Sequence, residues 1–101
     1  MISVTENDNN SANIFLDGDL TIYVAEKFHQ EMTGCLEKYQ SINIDMSNVS
    51  EMDTSCYQIL LRAKLISNRN NKKFTIDKQG EAAQQVFDLY NLNSVFEDQH
   101  G

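Results

Sequence analysis

Hydrophobic and polar positions change period several times along the 101-residue chain, and each change marks an element. Ile2–Thr5 and Asn13–Leu16 are short apolar runs on either side of a polar turn over residues 6–13. That pattern predicts an edge hairpin, with Ile14 and Leu16 on one face and Phe15 on the other. Asp17-Gly18-Asp19 is expected to break the second strand. Ala25, Phe28, Met32, Cys35, Leu36 and Tyr39 then recur every three or four residues. They predict a helix over about 22–39, started by Thr21 or its neighbours.

Ile42, Ile44 and Met46 alternate with Asn43 and Asp45 in a third strand, and Ser47-Asn48 opens a loop carrying Val49 and Met52. A second helix is expected over about 54–68, with Cys56, Ile59, Leu60, Ala63 and Ile66 as its apolar face, flanked by Tyr57 and Leu61. Asn68-Arg69-Asn70-Asn71 ends it, and Phe74–Ile76 is a fourth strand. A third helix, about 80–90, turns Ala83, Val86, Phe87 and Tyr90 inward, before a last apolar turn at Val95-Phe96. The order is β-β-α-β-α-β-α. Strand–helix–strand units at this spacing imply crossovers. The expected fold is therefore one α/β domain over 1–101, with a four-stranded, mostly parallel sheet, an antiparallel edge hairpin and helices packed on it.

Composition narrows the function. Hydrophobic residues make up 41%, enough for one modest core. There is no proline and there are only four glycines, none followed by lysine, so the G-x-x-x-x-G-K-[ST] phosphate loop is missing. Uncharged runs such as Thr54–Leu61 fall far short of the roughly 20 apolar residues of a membrane span. Met1–Asn10 is polar and acidic, unlike a secretory signal, so a cytoplasmic location is expected.

The net charge of −7 argues against nucleic acid as the partner. Charge is uneven, however. Arg62, Lys64, Arg69, Lys72, Lys73 and Lys78 fall in a window whose only acid is Asp77, giving +5 against −12 for the rest. This is either a solvated helix end and turn or a basic rim beside a partner or lipid surface. His29 and His100 offer no metal spacing, and no C-x-x-C occurs. Cys35 and Cys56 are expected as small core residues without a disulfide.

The informative stretch is Ile44–Cys56, where an acid and two hydroxyls, Asp53-Thr54-Ser55, meet the start of a helix. Any of the three could supply the helix N-cap by accepting hydrogen bonds from unpaired backbone N–H groups. A hydroxyl there is also where a phosphate is electrostatically welcome.

Asp53-Thr54-Ser55-Cys56, followed by the apolar helix Tyr57-Gln58-Ile59-Leu60-Leu61, resembles the STAS domain of sulfate transporters and anti-sigma-factor antagonists. Phe15-Leu16-Asp17-Gly18-Asp19-Leu20-Thr21 is similar to that family's strand ending in Gly-Glu-Leu, and Phe74-Thr75-Ile76 and Val86–Leu92 continue the likeness over about 13–97. In anti-sigma antagonists the hydroxyl after the Asp is phosphorylated by a partner kinase, the anti-sigma factor. The resemblance places that role on Thr54, with Ser55 as the neighbouring hydroxyl. Two positions depart from the pattern: Cys56 stands for a glycine, and Thr21 for an acid.

Two other branches look similar. Leu16-Asp17-Gly18-Asp19-Leu20-Thr21-Ile22-Tyr23 resembles the start of chemotaxis-linked STAS proteins. Asp53-Thr54 and Leu89–Leu92 resemble the cytoplasmic STAS subunit of a phospholipid-trafficking ABC transporter, where the Thr would meet an ATPase.

The expected function is a binding module with no catalytic residues, metal or cofactor, since no convergent acid, base and nucleophile is visible. It would bind a protein partner, an anti-sigma factor or serine/threonine kinase, under control of phosphorylation. Its expected contacts are Asp19, Thr21, Asp53, Ser55, Gln58 and Arg62, the last with Ser55 and Gln58 in one stripe of the second helix. The transporter subunit and a nucleotide-binding module are the alternatives.

Overall fold

A computed structural model of the chain describes residues 2–89. The order is β1 (Ile2–Asn7), β2 (Ser11–Leu20), α1 (Ala25–Lys38), β3 (Ser41–Met52), α2 (Thr54–Arg69), β4 (Lys73–Lys78) and α3 (Gly80–Leu89). The sheet runs β1-β2-β3-β4, with β1 antiparallel to β2 and the other pairings parallel. The expected α/β architecture is the observed one.

The hairpin closes because Asn9 (φ 68°) and Asn10 (φ 59°) both take the left-handed conformation that its tight turn requires. Asparagine visits that region more readily than other side-chain-bearing residues. Both crossovers step one strand further in the same direction, so right-handed connections place α1 and α2 on one face. Phe87 of α3 lies against Tyr57 of α2, ring centroids 5.9 Å apart, so α3 shares that face. Ile14, Leu16, Ile42, Ile44, Met46 and Phe74 point from the sheet into this layer and are fully buried. Phe28, Met32, Leu60 and Phe87 meet them from the helices. Cys35 and Cys56 are buried free thiols in the same core.

Three boundaries differ from expectation. Asp17-Gly18-Asp19 does not end β2. Gly18 takes φ 79° and the register against β3 shifts on either side of it, so the strand continues through a bulge to Leu20. That extension gives Ser47–Met52 a pairing partner, and the expected loop becomes the second half of β3: Asp17 lies opposite Asn48, Asp19 opposite Glu51 and Leu20 opposite Met52. The first helix begins three residues late, because Ile22–Val24 form a 3₁₀ turn before α1. Tyr90, Val95 and Phe96 lie outside the described residues.

The inward face of α2 is also rotated from the expected one. Cys56, Tyr57, Leu60, Ala63 and Lys64 are buried, whereas Ile66 is 37% exposed. Lys64 is therefore no part of a basic surface. It is 6% exposed, and its Nζ donates to the Phe74 carbonyl at 2.7 Å. The remaining cations scatter: Arg62 faces α1, Lys72 Nζ donates to the Leu36 carbonyl, and Lys73 and Lys78 stand at opposite ends of β4. The sequence cluster is not a spatial patch.

Candidate functional site

The two parallel strands that end beside each other, β2 and β3, deliver the candidate residues to one end of the sheet. Leu20 and Met52 are their last, paired residues. Each strand is followed at once by a helical segment, the Ile22–Val24 turn after β2 and α2 after β3. Crevices at the carboxyl ends of parallel strands are the usual place for a binding site in such sheets.

Asp53 links the two segments. Its N–H donates to the Leu20 carbonyl at 2.8 Å, and its carboxylate Oδ2 accepts from the Ile22 N–H at 3.0 Å. Its own carbonyl accepts from the Cys56 and Tyr57 N–H groups, opening α2. Asp53 is thus the N-cap by position, but its side chain makes no cap bond to α2. The expected capping by this carboxylate is corrected: β2 ends so close to β3 that the acid reaches across 31 residues to the other loop.

Cys56 reinforces the link. Its Sγ approaches the Thr21 carbonyl at 3.5 Å, in the place where the family pattern has a glycine. Burial pushes the Cys56 thiol above its ordinary pKa, which keeps it protonated and unsuited to nucleophilic work. Among the described residues, no group of three or more His, Cys, Asp or Glu side chains is arranged to hold a metal ion.

The expected contact residues come together here. Asp19 is exposed at the end of β2 and Thr21 half-buried in the following turn, while Thr54 is exposed at the first residue of α2. Ser55, Gln58 and Arg62 line one groove between α1 and α2, facing Ala25, Glu26 and His29. Ser55 Oγ is buried there with no hydrogen-bond partner. Arg62, eight residues beyond Thr54, stands about 12 Å further along the helix.

The sequence reading missed the apolar part of the site. Ile22 is 65% and Tyr23 93% exposed, and Val24 beside them is open as well. The signal was available: three consecutive apolar residues cannot all face one core from a helix that turns 100° per residue.

The chain belongs to the STAS_2 family, described as "Mlab, STAS domain", whose model matches residues 3–97. The class of protein is therefore a STAS domain, and solved structures agree on its fold. A putative anti-sigma factor antagonist from Thermotoga maritima superposes with a TM-score of 0.84 at 18% identity, covering 95% of this chain and 83% of that one. The anti-sigma factor antagonist SpoIIAA in its unphosphorylated form gives 0.80 at 15%, covering 99% and 89%. The phosphorylated form of the Bacillus cell fate determinant SpoIIAA gives 0.77 at 15%, covering 99% and 92%. No curated protein sequence matches the chain. No described helix is long and apolar enough to cross a membrane.

Proposed function

We propose that this chain is a non-enzymatic regulatory module that binds an anti-sigma factor or kinase-like protein at the β2/β3 end, switched by phosphorylation of Thr54. One observation carries the reading: an exposed hydroxyl opens α2 beside an exposed apolar turn, and Asp53 ties the two together. Apolar and aromatic side chains at the centre of a patch supply most of the affinity of protein interfaces. Polar neighbours Asp19, Thr21, Ser55, Gln58 and Arg62 form its rim. The likeness to SpoIIAA, solved in phosphorylated and unphosphorylated forms, supports the switch.

The electrostatics give the switch its sign. A phosphate on Thr54 adds about −1.5 to −2 charge next to Asp53 and near Glu51. The N-terminus of α2 partly offsets the repulsion, so the fold survives while an interface shaped for a neutral hydroxyl is lost. Pull-down of the kinase-like protein encoded in the same genome should succeed with wild type and Thr54→Ala and fail with Thr54→Glu. Equal capture by all three would reduce Thr54 to a helix start.

A second reading, a STAS subunit that meets the ATPase of a phospholipid-trafficking ABC transporter, uses the same end of the domain. The match to the Mlab STAS model favours keeping it distinct. Pull-down of an ATPase, unaffected by Thr54→Glu, would select it.

A further inference from the structure

β2 is longer than the strand that covers its outer edge. Ile2, the first described residue of β1, lies opposite Leu16, yet β2 runs on to Leu20. Among the described residues, Gly18, Asp19 and Leu20 have a strand neighbour only on the β3 side. Beneath this stretch a cavity of about 190 Å³ opens between the sheet and α1. Ile2, Leu20 and Phe28 form its apolar wall, and Asp19, Lys27 and Glu31 line it as well. It lies on the opposite side of β2 from Thr54, and it belongs to none of the features described above.

We propose that this is a strand-addition site for an extended segment of a partner protein, with an apolar residue flanked by basic ones. The pattern follows from pairing geometry. A segment continuing the line of β1 runs antiparallel to β2, and residues directly opposite across such a pair point to the same face. The residue opposite Leu20 therefore points inward, into the cavity beside Ile2. The residue opposite Asp19 points outward and meets its carboxylate, where an opposite charge stabilises the pair. Two of the three charged residues at the cavity are acids, Asp19 and Glu31, and Lys27 offsets only one of them. Backbone hydrogen bonds along the edge supply affinity, and the cavity supplies selectivity. The site stands whether or not Thr54 is modified.

The test is an amide NMR titration of the full chain with three synthetic peptides: Thr-Lys-Leu-Lys-Thr, the same peptide with Leu replaced by Asn, and the same with both Lys replaced by Glu. The first should shift the Gly18, Asp19, Leu20 and Phe28 amides saturably. The Asn peptide should bind at least tenfold more weakly, because the cavity no longer receives an apolar group. Asp19→Lys, a surface change, should weaken the first peptide about fivefold and favour the Glu peptide. Val24→Trp, at the cavity mouth, should abolish binding with the circular dichroism spectrum unchanged. Thr54→Glu should leave the titration unaltered, which separates this site from the switch. The proposal is overturned by no saturable shift with the first peptide, or by shifts confined to the Ser55–Arg62 groove. It is equally overturned by equal binding of all three peptides, or by shifts that follow protein concentration alone, which would make a second copy the occupant.

Discussion

The two ends of the sheet use their polar groups in opposite ways. At the end where β3 and β4 begin, they are turned inward on the protein itself. The Gln40 N–H donates to the Asn10 carbonyl at 2.7 Å, the Lys73 N–H to the Gln40 carbonyl at 3.0 Å, and the Gln40 side chain to the Asn71 carbonyl at 2.9 Å. Glu6 accepts from both Tyr39 and Lys38, and that pairing holds its carboxyl below the usual range. At the other end, one carboxylate holds two loops together, while Tyr23 and Ile22 face solvent and Ser55 Oγ has no partner. Unpaired buried polar groups and exposed apolar ones both cost stability. Their concentration at one end marks it as the end shaped for something other than folding.

If that division is real, the largest stability losses should come from residues that serve only the fold. Lys64 is the sharpest case: a buried ammonium with one backbone acceptor between α2 and β4. Lys64→Glu puts a carboxylate against the Phe74 carbonyl in the same apolar space, two acceptors with no proton between them. Unpaired buried charges of this kind cost about 3–5 kcal/mol. Urea unfolding should show that loss, enough to unfold much of a marginal domain at 25 °C. Lys64→Met, which keeps the stem and drops the charge, should lie much nearer wild type. If the two variants are equally destabilised, the ammonium rather than its surroundings is what the core needs.

Lys64 also shows where sequence reading stopped. The alternation in Ile14–Leu16 and Ile42–Met46 and the spacing of Phe28, Met32 and Cys35 were legible because burial follows the period of the backbone. A lysine on an apolar face breaks that period, and nothing in its neighbours says that a carbonyl ten residues on will receive it. The second half of β3 was hidden for a related reason. Ser47–Met52 pairs only because β2 survives a glycine at φ 79°, and a bulge leaves no periodic trace. At the site, Asp53 and Thr54 were visible by type and position. The direction of the Asp53 carboxylate was not, since it depends on how closely two strand ends approach.

Asp53 joins the two halves of the site, so removing its carboxylate should have an intermediate effect. Asp53→Ala strips the Ile22 N–H of its acceptor but leaves that amide within reach of water. The expected loss is about 1 kcal/mol in urea unfolding. Hydrogen exchange should be more telling: the Ile22 amide should lose its protection while those of β2 and β3 keep theirs. Protection retained at Ile22 would mean that the turn holds its shape unaided, and the acid would then belong to the partner-binding surface alone.

The smallest expected effect on the fold carries the most weight for function. Tyr23 is 93% exposed and has no buried surface to lose. Tyr23→Ser should therefore move stability by no more than about 0.5 kcal/mol, the range of ordinary surface substitutions. For a partner seated on the Ile22–Val24 turn the same change removes a large, rigid aromatic contact, and anchors of that kind are worth about 2 kcal/mol or more. That corresponds to roughly a thirtyfold loss of affinity. Titration calorimetry against the captured partner, alongside urea unfolding of the free chain, should find binding lost and stability kept. Unchanged affinity would take the exposed turn out of the interface and leave only the Ser55–Arg62 groove to carry it.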